Sequence, residues 1–299
     1  MPFANSQTEP RLHHVQCLGA SGLHRMAYWE WGAADNPRVL VCVHGLSRQG
    51  RDFDKLARTM LDQYRVICPD VVGRGQSDFL ADPSGYQLPA YVADMVTLLA
   101  RLDARQLHWV GTSMGGLIGM GLASLANSPI ERLVLNDVGP AIAPEALARI
   151  GTYVGAALQW PSVEAAADYL LTISQGFGPH SREQWLELTQ AMVKPAKATD
   201  GAAVWEPHYD PGIAVPFRAI TPEIAKAGEA QLWKAYDAVR CPTLLLRGAE
   251  SDLLTIETAR EMTCRGPRAE LHELPGVGHA PTLVHDDQIA VVRDFLLGS

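Results

Sequence analysis

Short apolar runs alternate with amphipathic segments along most of this chain of 299 residues. Each run is three to six residues long and rich in Val, Leu and Ile, which is typical of strands buried on both faces of a sheet. The runs are Val39–Val43, Val66–Cys68, Leu107–Val110, Leu133–Leu135, Thr243–Leu246 and Ala269–Leu274. Because such strands alternate with helices in parallel sheets covered on both faces, we predict an α/β fold with a mostly parallel sheet and helices on both faces.

The segments around these runs predict the remaining elements. Val15–Leu18 and Met26–Trp31 fit two antiparallel edge strands at the start of the chain. Apolar residues at helical spacing predict helices at Phe53–Leu61, Tyr91–Leu102, Met114–Leu125 and Ile289–Leu297.

The alternation stops after Asp137 and resumes at Thr243. Residues 140–236 contain no convincing buried strand, but they contain helical patches such as Val163–Thr172 and Arg182–Met192. We therefore predict a core of residues 1–139 and 237–299, interrupted by a helical cap of residues 140–236 over the carboxyl edge of the sheet.

Composition and charge exclude several classes of function. A formal net charge of −8 disfavours nucleic-acid binding. The first ten residues lack the basic and apolar regions of a secretory signal, and polar residues and glycines interrupt the longest apolar stretch, so we expect no membrane segment. Five cysteines without a Cys-x-x-Cys pair indicate free thiols in a reducing, cytoplasmic compartment. The histidines show no metal-ligand spacing, so we expect no metal or cofactor. The expected oligomeric state is a monomer or a homodimer.

The strongest chemical motif is Gly111-Thr112-Ser113-Met114-Gly115, which lies between a predicted strand and a predicted helix. A turn this sharp leaves no room for side chains two residues before and after the serine, so glycine occupies both positions. The turn raises the Ser113 hydroxyl above the sheet, and the following helix N-terminus favours developing negative charge. Ser113 is the predicted nucleophile.

A second motif, His44-Gly45-Leu46, directly follows the strand Val39–Val43. Glycine there allows the backbone to approach a substrate carbonyl, and the backbone amides of Leu46 and Met114 then form the expected oxyanion hole. We assign His44 and Gly45 to the substrate-binding loop, which the His44 ring braces by hydrogen bonds.

Two later loops supply the candidate base and acid. Gly278-His279 follows the last predicted strand, and histidine suits a general base because its ordinary pKa lies near neutral pH. Asp252 follows the strand Thr243–Leu246, where a carboxylate can accept the second ring N–H of His279. Asp252 is the favoured acid, and Asp137 and Glu250 are the alternatives.

These motifs together resemble the α/β-hydrolase superfamily, in its branch of small esterases, lactonases and carbon–carbon hydrolases. The motifs that carry the resemblance are His44-Gly45-Leu46, Asp70–Ser77, Gly111–Gly116, Gly248–Asp252 and Gly278-His279. The resemblance implies an eight-stranded core with a helical cap, the triad Ser113, Asp252 and His279, and the Leu46 and Met114 oxyanion hole. Relatives that cleave carbon–halogen bonds or epoxides need Asp where this chain has Ser113, so acyl transfer through an ester intermediate is the expected chemistry.

The expected function is hydrolysis of a small to medium carboxylic ester or lactone through an acyl-enzyme. Hydrolysis of carbon–carbon bonds in ring-fission products is the alternative reaction. A ligand-binding, receptor-like scaffold with little turnover is the alternative of another class. We expect a minority of the cap aromatic residues to contact the substrate, and these residues are Tyr153, Trp160, Tyr169, Phe177, Trp185, Trp205, Tyr209, Phe217 and Trp233.

Overall fold

Eight strands of the molecule form one sheet, in a computed structural model that describes residues 8–298. The spatial order is β1-β2-β4-β3-β5-β6-β9-β10, and the remaining two strands form a separate ribbon. The strands are β1 Arg11–Gly19, β2 Gly22–Trp31, β3 Arg38–Val43, β4 Arg65–Pro69, β5 Gln106–Thr112, β6 Ile130–Asn136, β7 Val193–Lys197, β8 Ala203–Pro207, β9 Thr243–Gly248 and β10 Glu270–Leu274. β1 and β2 are antiparallel, and the six strands from β4 to β10 in that order are parallel to one another.

Ten α-helices accompany these strands within residues 8–298. They are α1 Asp54–Met60, α2 Leu88–Leu102, α3 Met114–Ala123, α4 Pro144–Tyr153, α5 Val163–Ile173, α6 Arg182–Met192, α7 Ala214–Arg218, α8 Pro222–Ala238, α9 Ile256–Cys264 and α10 Asp286–Leu297. The predicted α/β class, with a mostly parallel eight-stranded sheet covered on both faces, is confirmed.

Side-chain alternation along each strand divides the core into two apolar layers. In β3, Val39, Val41 and Val43 join the layer that contains residues of α2 and α3. Leu40 and Cys42 point to the opposite face and join the layer that contains residues of α1 and α10. Burial on both faces explains why the parallel strands are continuous apolar runs in the sequence.

The inserted segment after β6 has an apolar cluster of its own, built mainly from α5 and α6 around Trp160 and Trp185. The expectation of a wholly helical insertion is incomplete, because β7 and β8 form an antiparallel hairpin within it. These strands are short and partly exposed, so they lack the continuous apolar pattern of the core strands. The helix α8 packs beside the core helix α3, which favours an end of the insertion before Pro222 rather than at residue 236.

Two further sequence expectations concern compartment and redox state. All five cysteines are free, and Cys17, Cys42 and Cys68 are buried. No helix within residues 8–298 is long and apolar enough to cross a bilayer.

Candidate active site

Ser113 occupies a tight turn between β5, which ends at Thr112, and α3, which begins at Met114. Its backbone has φ 51° and ψ −117°, an uncommon conformation for a residue with a side chain. A Cβ atom on Gly111 would overlap the Gly115 carbonyl, and one on Gly115 would overlap the Val43 carbonyl. Both glycines are therefore required by close backbone approach, as the motif predicts.

The loop after β10 brings His279 against Ser113. The Nε2 atom of His279 lies 3.1 Å from the Ser113 hydroxyl oxygen, and its Nδ1 atom lies 2.8 Å from a carboxylate oxygen of Asp137. The loop is tied to the insertion, because the Gly278 N–H donates to the Gly176 carbonyl at 2.6 Å. The serine, the imidazole and a carboxylate thus form a continuous hydrogen-bonded chain.

Asp137 follows β6 directly and is fully buried, with a backbone φ of 54°. Besides His279, its carboxylate accepts the Gly248 N–H at 2.9 Å and the Ser251 hydroxyl at 2.6 Å. These donors satisfy the hydrogen-bonding capacity of the carboxylate in a site without water contact. The group that orients His279 is therefore held rigidly by two neighbouring segments.

The structure contradicts the assignment of Asp252 as the partner of His279. The Asp252 side chain is 48% exposed and pairs with Arg149 of α4 through Nε at 2.6 Å and Nη2 at 2.9 Å. Glu250 is exposed as well. The reason lies in the sheet: β6 and β9 are parallel neighbours, so aspartates that follow them emerge at the same edge, and Asp137 is the one beneath His279.

The loop after β3 lies beside Ser113. A Cβ added to Gly45 would lie 3.7 Å from the Ser113 Cβ, so the chain passes close to the hydroxyl. Within residues 8–298, the Leu46 and Met114 amides have no hydrogen-bond acceptor, as expected of donors reserved for a ligand oxygen. Buried Arg74 holds this loop, since its Nε donates to the Leu46 carbonyl at 2.8 Å.

A cavity of about 110 Å³ opens above Ser113 and His279. Gly45 and Leu46 line its core side, and the insertion supplies most of the opposite wall. The cap aromatics that line it are Tyr153, Trp160, Phe177 and Tyr209. The others, Tyr169, Trp185, Trp205, Phe217 and Trp233, lie outside its lining, and contact of a minority of these aromatics with substrate stays a prediction.

Comparison with known proteins identifies the family. A family model described as "alpha/beta hydrolase fold" matches residues 38–286, a segment that includes Ser113, Asp137 and His279. The chain belongs to the α/β hydrolase fold family.

Three relatives of this α/β hydrolase share nearly its full length. The 3-hydroxybutyrate-oligomer hydrolase of Cupriavidus necator is 56% identical over 97% of this chain and 99% of its own. The solved structure of an α/β hydrolase from Novosphingobium aromaticivorans is 35% identical with a TM-score of 0.82, covering 96% of this chain and 98% of that one. The solved structure of a protein from Rickettsia typhi is 28% identical with a TM-score of 0.85, covering 97% of this chain and 99% of that one.

His44 of this hydrolase is fully buried behind the pocket wall. Its Nε2 accepts the Val71 N–H at 2.9 Å, so its Nδ1–H donates to the Gly45 carbonyl at 2.7 Å. Burial lowers the pKa of His44 to about 3, so the ring is neutral in this role. The structure contradicts a direct substrate contact for His44 and agrees with the expected bracing of the loop.

We expect His44 to make the fold less stable as the pH falls from 7 to 5. The unfolded chain gains a proton on this ring near the ordinary histidine pKa of about 6.5, whereas the folded ring stays neutral until a pH of about 3. The stabilisation is therefore present above the unfolded pKa and is lost as the pH falls, by about 2 kcal/mol at pH 5.

Urea denaturation of the wild type and His44→Gln at both pH values measures this effect. The variant should be less stable at pH 7 but should lose about 2 kcal/mol less than the wild type on acidification. Comparison of the two proteins cancels the other titrating groups, and His14→Gln, at an exposed position, should behave as the wild type does. Equal losses in all three proteins would contradict a neutral, buried His44.

Within residues 8–298, Cys17, His24 and Asp94 form a cluster of metal-ligand types that sequence spacing did not reveal. They come from β1, β2 and α2, so only the fold brings them together. The His24 Nε2 atom lies 2.9 Å from Asp94, and burial, with Asp94 nearby, raises the pKa of the Cys17 thiol to about 12. His24 and Asp94 already satisfy each other by a hydrogen bond, and we interpret the cluster as a packing contact of the hydrolase core.

Proposed function

We propose that this hydrolase cleaves esters of short 3-hydroxyalkanoate oligomers by a serine mechanism, with Ser113 as nucleophile, His279 as base and Asp137 as acid. The observation that carries the reaction class is the Ser113–His279–Asp137 chain at the floor of the cavity. The substrate class is supported by the Cupriavidus necator 3-hydroxybutyrate-oligomer hydrolase, because identity of 56% extends along nearly the whole of both chains.

In the first half of the reaction, the Ser113 oxygen attacks the ester carbonyl while His279 Nε2 accepts its proton. Asp137 accepts the Nδ1–H, which fixes the imidazole tautomer and stabilises the imidazolium that forms. The Leu46 and Met114 amides donate to the oxyanion, and each such donor stabilises the transition state by roughly 3 kcal/mol. The imidazolium then protonates the departing alcohol oxygen, which leaves an acyl group on Ser113.

In the second half, a water molecule takes the place of the alcohol. His279 removes its proton as it attacks the acyl carbonyl, and the same oxyanion donors stabilise the second tetrahedral intermediate. Collapse returns the proton to the Ser113 oxygen and releases the acid. For a 3-hydroxyacid oligomer, one product is a free 3-hydroxyacid and the other is the shortened chain.

The predicted cap, residues 140–236, is the proposed specificity element. Apolar side chains of this segment, such as Leu170 and Ile173, line the cavity opposite the nucleophile. A mostly apolar wall suits the methyl-bearing backbone of a 3-hydroxyalkanoate, and it suits a small lactone equally well. Ester and lactone substrates are therefore tested together.

Incubation with the linear dimer and trimer of 3-hydroxybutyrate, followed by chromatography of the free acid, tests this proposal. We expect release of 3-hydroxybutyrate from both, and a panel of simple esters and lactones should be turned over less efficiently. If a vinylogous diketo acid is cleaved and no ester is, the alternative carbon–carbon hydrolase is favoured. If a fluorophosphonate does not label Ser113, a ligand-binding scaffold is favoured instead.

A further inference from the structure

Two arginines line the cavity above Ser113, although the whole chain carries a net charge of −8. Within the part of the chain that the structure describes, Arg48 and Arg149 contribute to the lining, and no Asp or Glu does. A cavity with two guanidinium groups in otherwise mostly apolar walls is complementary to an apolar molecule that carries a negative charge.

Arg48 already forms an ion pair with Asp52. It donates to both carboxylate oxygens of Asp52 at 2.5 and 2.7 Å, and both side chains are nearly buried. Its guanidinium also lies 5.5 Å from the centre of the Phe177 ring. Separation of such a buried pair leaves an unpaired charge out of water, so Arg48 is a poor candidate for binding a ligand carboxylate.

Arg149 is held differently. It lies on α4, in the predicted cap, and its partner Asp252 lies in the loop after β9, so the pair crosses from the insertion to the core. Both side chains are substantially exposed, at 40% and 48%, and solvent-screened pairs of this kind exchange partners readily.

The geometry of the pair also leaves donors for a ligand. Asp252 accepts from Nε and Nη2 of Arg149, so three of the five guanidinium N–H groups, two on Nη1 and one on Nη2, remain for a further acceptor within residues 8–298. Tyr153, one turn later on α4, lines the same cavity beside Arg149. Burial raises the pKa of the Tyr153 phenol, so its hydroxyl remains a donor at neutral pH.

We propose that Arg149 binds the free carboxylate of the substrate, and that Asp252 occupies the same guanidinium when no substrate is present. The inference rests on the proposed function, since it assigns the recognition of an acidic ester to that same site. The substrate class it names is an ester with a carboxylate at one end, such as the acid terminus of a 3-hydroxyacid oligomer. Arg149 is then a specificity residue that distinguishes acidic oligomers from neutral esters.

The kinetic test compares the 3-hydroxybutyrate dimer with its methyl ester, which has the same internal ester bond but no charge. The rate is counted from cleavage of that internal bond alone, because the methyl ester group is itself hydrolysable. Arg149→Gln should lower kcat/KM for the acid roughly ten- to hundredfold more than for the methyl ester, mainly through KM, because a charge-assisted hydrogen bond is lost. Arg149→Lys should restore part of this loss, since lysine keeps the charge without the planar fork. Equal losses for acid and methyl ester in Arg149→Gln would overturn the proposal.

The matched control is Arg182→Gln, which removes an arginine of the same segment that pairs with exposed Asp168 at 2.7 Å and does not line the cavity. It should not alter the preference for the acid. Asp252→Asn should act in the opposite direction to Arg149→Gln and strengthen binding of the acid several-fold, because the competing carboxylate is removed. Weaker binding of the acid by Asp252→Asn would contradict the competition.

A binding measurement separates this inference from the proposed reaction. In a Ser113→Ala background, calorimetric titration should give a Kd for the acid at least tenfold lower than for the methyl ester, and addition of Arg149→Gln should abolish the difference. Equal affinities in the Ser113→Ala protein would overturn the inference, whatever the turnover. Failure of the wild type to hydrolyse either compound would contradict the proposed function alone.

Discussion

Replacement of Ser113 by alanine should lower kcat on the order of a millionfold and leave the protein folded. The substitution removes the oxygen that forms the acyl-enzyme, and no other group replaces it at the turn between β5 and α3. The fold should survive because the hydroxyl has His279 as its hydrogen-bond partner within residues 8–298 and caps no helix residue. Initial rates with p-nitrophenyl butyrate measure the loss, and circular dichroism checks the fold.

The matched control is Ser124→Ala, the same substitution at the end of α3, where the hydroxyl donates to the Gly121 carbonyl. It should keep the wild-type rate and its labelling by a fluorophosphonate, whereas Ser113→Ala should lose both. Retention of more than a few per cent of the rate by Ser113→Ala, in a preparation free of wild-type protein, would remove Ser113 from the mechanism.

Asp137→Asn should reduce kcat by up to about ten-thousandfold, as the equivalent change does in a serine protease. The native carboxylate accepts from His279, Gly248 and Ser251 at once. An asparagine has a single acceptor oxygen, and its amide nitrogen can only donate. If the amide nitrogen takes the place of Oδ1, it faces the Gly248 N–H, which has no other direction in which to donate. If it takes the place of Oδ2, it faces His279 and favours the wrong imidazole tautomer.

Asp252→Asn is the decisive comparison, because the same substitution is made at the position that sequence order favours. On a neutral ester it should be at least a hundredfold less damaging than Asp137→Asn, since Asp252 contacts Arg149 and not His279. If Asp252→Asn were instead the inactive variant and Asp137→Asn kept most of its rate, the acid would have to be reassigned to the loop after β9.

The core of the fold could be predicted from the sequence because its signals are local. Strands buried on both faces must be continuously apolar, so β3, β5 and β9 stand out as short runs of Val and Leu. The hairpin β7–β8 and the helix α8 are mostly exposed or half-buried, with Tyr236 the buried residue of α8. Without a buried face, no apolar period marks such elements in the sequence.

Whether a site residue could be predicted also depends on whether its signal is local in the sequence. Ser113 could be predicted because its sharp turn requires glycine two residues before and after it, and Gly45 because it follows an easily recognised strand almost directly. The acid could not be predicted, because Asp137 and Asp252 both follow parallel strands and differ only in which one lies beneath His279. For His44, the sequence predicts that the ring braces the loop by hydrogen bonds, but it does not specify the backbone of Val71 as the partner.

The proposed acid, Asp137, follows the strand next to the one that precedes the proposed nucleophile, Ser113, and this matters for protein engineering. β5 and β6 pair in register up to Thr112 and Asn136, and the Ser113 N–H donates to the Asn136 carbonyl at 3.0 Å. The spacing of nucleophile and acid is thus set by one ladder of backbone hydrogen bonds. Asp252 is exposed and contacts Arg149 rather than His279, so randomisation of this single position should retain turnover while it diversifies the range of acceptable substrates.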